Sequence, residues 1–144
     1  MKGRNESAMG GFRLEMPRSY DASPEQVFRA WTDPASLKAW LAEGGDVVAD
    51  PRPDGLFYLG MRHSSGIRPH YGRYLRVESP HLLEFTWVSE HTLGKESVVT
   101  LEFTPHGSRT ELRLTHEGLP DERMAMAHTE GWTYFLDLLP GHLG

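Results

Sequence analysis

The stretch that decides the fold is MAMAHTEGWTYFLDLL, Met124 to Leu139. Met124, His128, Trp132, Phe135 and Leu139 step by 4, 4, 3 and 4, with Ala127, Gly131, Tyr134 and Leu138 running alongside. This is the wide apolar stripe of a helix that buries one side. The pattern predicts a helix from Pro120 to about Leu139, ended by Pro140-Gly141. At 1.5 Å per residue such a helix is roughly 30 Å long.

Upstream, almost everything reads as strand. Phe12 to Tyr20 alternates Phe12, Leu14, Met16, Arg18 and Tyr20 against polar residues, and Pro17 places it at an edge or a bulge. Two short capped helices interrupt the pattern. Ser23-Pro24-Glu25-Gln26 is a capping box with proline at the first helical position, and Asp33-Pro34 starts a second helix that ends near Leu41. Further strands are expected at Asp46 to Ala49, Leu56 to Arg62, His70 to Glu78, Leu82 to Ser89, Val98 to Thr104 and Thr110 to Glu117. His63 to Pro69 reads as a loop, and Pro105 to Ser108 as a turn. Six or seven strands spaced about 4.8 Å apart make a sheet about as wide as the last helix is long. The expected architecture is therefore α+β: a curved antiparallel sheet wrapped around a long C-terminal helix, with a cavity between them. Residues 1–11 read as a flexible N-terminus and 12–144 as a single domain.

Composition narrows the function. The 144 residues contain no Cys, which removes disulfides, thiolate metal sites and a cysteine nucleophile. Fifteen Lys and Arg against 20 Asp and Glu give a net charge of -5, which disfavours a phosphate-binding face, so nucleic acid is not an expected partner. No apolar run approaches a membrane span and the opening residues do not resemble a signal peptide, so a cytoplasmic protein without membrane attachment is expected. The eight His never form the spaced pair of a zinc helix, and the glycines lack a nucleotide-loop context. No metal or cofactor is expected.

The order of elements resembles the helix-grip fold of the START-like (SRPBCC) superfamily. More narrowly, the chain resembles the activator of heat-shock protein 90 ATPase homologue family. The resemblance is carried by Ala22 to Phe28, Trp31-Thr32-Asp33-Pro34, Leu37 to Leu41, Gly72 to Leu75, Pro80 to Trp87, Thr115 to Leu119 and His128 to Trp132. It implies the helix-grip fold and a range of roles, from small-molecule carriers to polyketide cyclases and co-chaperones. Family co-chaperones carry an additional N-terminal domain, whereas only about 11 residues precede the first strand here. The leading expectation is an apolar or aromatic small molecule bound in the cavity, with no catalytic residue set assigned and the exact role open. A cyclase- or hydratase-type enzyme and a co-chaperone-like interaction module are the alternatives, and an exposed edge strand makes a homodimer an expected option.

Seven residues are candidates for the binding site: Tyr71, Arg73, Phe85, Trp87, His116, His128 and Trp132. Strand phase gives Tyr71 and Arg73 the inward phase of Leu75 and Val77, and in the next strand Leu83, Phe85 and Trp87 share a face opposite Glu84 and Thr86. An inward guanidinium would anchor a carboxylate or phenolate, while an outward one is a solvated charge. The aromatics would stack a planar ligand or simply fill the core. His116 follows Leu112 and Leu114 in phase, and His128 lies on the helical stripe. The two imidazoles would orient a polar ligand group or move a proton, or else satisfy backbone groups at the strand-to-helix turn.

Overall fold

A computed structural model describes residues 9–143. Most of the segment expected to be flexible, residues 1–8, lies outside the described residues. Seven strands form one antiparallel sheet in the order β1-β7-β6-β5-β4-β3-β2. They are β1 Phe12–Tyr20, β2 Val47–Ala49, β3 Leu56–His63, β4 Gly66–Glu78, β5 Leu82–Trp87, β6 Ser97–His106 and β7 Arg109–Leu119. Between β1 and β2 lie α1 Pro24–Thr32 and α2 Pro34–Trp40, and the chain closes with α3 Glu122–Leu138 and a short 3-10 turn. This is the helix-grip architecture.

Local chemistry places these elements. Ser23 and Gln26 make the reciprocal capping box of α1, and Asp33 caps α2 by accepting from the Ser36 amide. Asp121 caps α3 through the Met124 amide at 2.9 Å. Pro17 is tolerated because β1 is an edge strand.

The segment expected as a loop, 63–69, is instead a tight hairpin. His63 pairs with Gly66, Met61 with Arg68 and Gly60 with Pro69, so only Ser64 and Ser65 turn the chain. The phase of β4 also differs from the expected one. In β4 the buried residues are His70 and Tyr74, whereas Tyr71 points away from the core and is 49% exposed. The register shifts between Tyr74 and Arg76, which lets Val77 pack on the same core as Tyr74 although the two are three apart. A phase carried back from Val77 through this bulge places every earlier side chain on the wrong face.

The seating of α3 decides where space is left in the molecule. His128, Trp132, Leu136 and Leu139 form its buried line. The Tyr20 hydroxyl donates to the Leu136 carbonyl at 2.8 Å, and Arg18 pairs with Asp137 at 3.0 Å. Both bonds pin the helix over β1, at one end of the sheet. The opposite end, β3 and β4, is left uncovered beside the helix, and a cleft opens there. Trp40, in contact with Phe135 of α3, and Trp31, in contact with Trp132, close the other side of the core.

Candidate functional site

The cleft has a volume of about 540 Å³ and lies between the β3–β4 hairpin and α3. Its base is aromatic: the Trp87 and Trp132 rings lie 5.1 Å apart, and Met61 and Phe135 extend the apolar lining. Gly131 and Ala127 keep the helical wall low. His70 of β4 stacks beside Trp87 with ring centres 4.9 Å apart, and His128 faces it from α3. His91 reaches the cleft from a short 3-10 turn after β5, Glu90–Thr92, which Ser89 caps by accepting from the His91 amide at 3.0 Å. Arg62, His63, Arg68, Glu43 and Glu130 complete the lining. At its edge the Tyr134 hydroxyl donates to Glu43 at 2.7 Å, tying α3 to the turn after α2 and raising the phenol's pKa.

The seven residues expected at the site divide into three groups. Trp87, His128 and Trp132 line the cleft. His116 and Phe85 are buried behind it, Phe85 edge-to-face against Phe57 with centres 5.3 Å apart. Tyr71 and Arg73 are on the outer face of the sheet, where Arg73 pairs with Glu96 at 3.1 Å in solvent. Neither can reach a molecule in the cleft, because both precede the β4 bulge and alternate with the buried Tyr74.

His116 acts on the site from behind. Trp132 Nε1–H donates to His116 Nδ1 at 3.0 Å. The Ser97 hydroxyl donates to the Trp87 carbonyl at 2.7 Å, so it accepts from His116 Nε2–H, also at 2.7 Å. Both ring nitrogens are thus engaged in a neutral tautomer. Full burial, and then the neighbouring His128 ring 4.8 Å away, push its pKa well below the usual imidazole value. His116 has no free nitrogen with which to touch a ligand. Instead it fixes the orientation of Trp132.

His70 and His128 are held differently. Each ring bonds through Nδ1 to a backbone carbonyl: His70 to Arg68 at 3.1 Å, His128 to Met124 at 2.8 Å. Burial is the main cause that lowers both pKa values, to about 4 for His70, whose neighbours His128, His91 and Arg68 add to the effect. Among the described residues no group of three or more His, Asp or Glu is arranged to hold a metal ion. None of their helices is long and apolar enough to cross a membrane.

Comparison with known proteins gives this geometry a context. The family model described as "Activator of Hsp90 ATPase homolog 1-like protein" matches residues 21–144. No curated protein matches the chain. Among solved structures, an HSP90 activator from Plasmodium falciparum is 26% identical with a TM-score of 0.78, over 92% of this chain and 96% of that one. A Rhodobacter sphaeroides protein is 30% identical with a TM-score of 0.75, over 91% and 88%. A Mesorhizobium loti protein is 26% identical with a TM-score of 0.80, over 91% and 96%.

Proposed function

The chain belongs to the family of Activator of Hsp90 ATPase homolog 1-like proteins, and from that premise we propose that it binds an apolar or aromatic small molecule in the cleft between β3–β4 and α3. The observation that carries this reading is the paired indole base, Trp87 beside Trp132, under about 540 Å³ of space. A volume of this size suits a ligand of drug-like dimensions, and a mostly apolar lining with a few placed polar groups is the usual composition of such sites.

Gly131 provides the test. It lines the cleft, and a Cβ added there would meet nothing within 4 Å, so a side chain at this position starts into open space on the cleft wall. The expected result is that naphthalene-type compounds shift the Trp87 and Trp132 indole signals in NMR spectra of the native chain and leave those of a folded Gly131→Leu variant unmoved. Equal shifts in both proteins would place binding elsewhere and sink the proposal.

A second reading, interaction with an Hsp90-type chaperone, is favoured by one separate feature. The outer face of β2–β4 exposes Val48, Leu56, Ile67 and Tyr71, and Val48, Tyr58 and Tyr71 lie in one cross-strand row. An apolar row on an outer sheet face suits a protein partner. Added to an Hsp90, the native chain should change its ATPase rate, and Leu56→Glu with Tyr71→Glu should remove that change. No effect at saturating chain would retire this reading.

A further inference from the structure

The polar lining of the cleft has a hydrogen-bonding polarity that selects its ligand. The Arg68 and Met124 carbonyls can only accept, so the protons of the His70 and His128 rings sit on Nδ1. In a neutral imidazole this leaves Nε2 of each ring as an acceptor. Neither Nε2 has a partner among the described residues. Nor is either sealed inside the protein, because among the described residues the buried side-chain nitrogens without a partner are Nε1 of Trp31 and of Trp87. Both Nε2 atoms therefore stay open to the cleft that the two rings line. One acceptor comes from the sheet and the other from the helix.

Such a pair repels an anionic group placed against it, and an unsubstituted hydrocarbon leaves it unpaired once water is displaced. Either nitrogen is satisfied by a ligand that brings a proton. Gly131 adds a condition of shape: with no side chain at this point of the helical wall, a flat ring can lie close to the α3 backbone above the indole base.

Building on the reading that the cleft binds an aromatic small molecule, we infer that its ligand is a neutral planar aromatic bearing a hydroxyl or ring N–H, which donates its proton to one of the two Nε2 acceptors, that of His70 or that of His128. The competing class is an aromatic carboxylate held at the edge by Arg62 and Arg68, both of which line the cleft.

The experiment compares three compounds by calorimetry on the full chain near neutral pH: 2-naphthol, 2-methoxynaphthalene, which keeps the oxygen but lacks its proton, and 2-naphthoate. Naphthol should bind about tenfold more tightly than the methyl ether, the equivalent of one good neutral hydrogen bond. In long-range 1H–15N spectra, naphthol but not the ether should move the Nε2 resonance of His70 or of His128. His70→Phe and His128→Phe keep a ring in place and remove the acceptor. The folded variant that removes the acceptor used by naphthol should bring the naphthol-to-ether ratio toward one.

Equal affinity for naphthol and ether, or an unaltered ratio in both variants, overturns the donor rule while the cleft remains a binding site. Tightest binding of naphthoate overturns it in favour of the guanidinium groups. Failure of all three compounds to bind overturns the small-molecule reading itself. If a variant does not fold, the nitrogen resonances of the native chain still decide the matter.

Discussion

At the scale of single residues, the histidines do different work although the sequence presents them alike. His116 is a structural strut between Ser97 and Trp132. Replacing it by Phe leaves the buried Trp132 N–H without an acceptor, at a cost of about 2 kcal/mol. Chemical denaturation should show this loss, and near-UV circular dichroism should report altered tryptophan packing. The buried neutral imidazoles also make stability depend on pH. Their folded pKa values lie below the ordinary 6.5, so between the folded and unfolded values the unfolded chain binds more protons. The contribution of these imidazoles is complete above about pH 6.5 and falls as pH drops toward about 4, the folded value for His70. For His70, faced by His91 and His128 and neighboured by Arg68, the loss reaches about 3 kcal/mol once both states are protonated. Urea midpoints measured from pH 7 to 4.5 should fall less steeply for His70→Phe than for the native chain. Equal slopes would show that His70 is not held neutral.

At the scale of elements, the fold was largely legible and half of the candidate site was not. β1, α1 and α2 carry local signals, from period-2 alternation to capping boxes, that need no tertiary information. Residues 124–139 gave the helix because its stripe repeats over four turns, and His128 and Trp132 were found with it. β4 failed because its bulge lies between the residues that set the phase and those that line the cleft. His70 was hidden by that shift, and a phase anchored on Tyr74 would have found it. His91 was missed because a three-residue 3-10 turn has no period to read. Gly131 gives a prediction at this scale. In a helix interior it costs about 1 kcal/mol relative to Ala, and nothing in its surroundings obstructs a Cβ. Gly131→Ala should therefore raise the urea midpoint, by about 0.5–1 kcal/mol of stability, while narrowing the cleft. A fall in stability instead would mean that the glycine serves the packing of α3 rather than the space beside it.

Across the whole molecule, the same asymmetry that builds the cleft makes it measurable. Tyr20 and Arg18 hold α3 over β1, so the uncovered β3–β4 end is a consequence of how the core closes and not a defect in it. A ligand that fills the cleft binds only the folded chain, and at a hundredfold excess over its dissociation constant it adds about 2.7 kcal/mol of stability. For a chain of this length that is a rise in melting temperature of roughly 8 °C. The rise should be absent in Gly131→Leu. Finally, all four tryptophans of the chain touch in series, Trp40 to Trp31 at 4.8 Å, Trp31 to Trp132 at 5.9 Å and Trp132 to Trp87 at 5.1 Å. Optically they are one chromophore array. Excitation absorbed at Trp40 can migrate along the row to the indoles at the base of the cleft, so a quencher bound there darkens the emission of the whole protein.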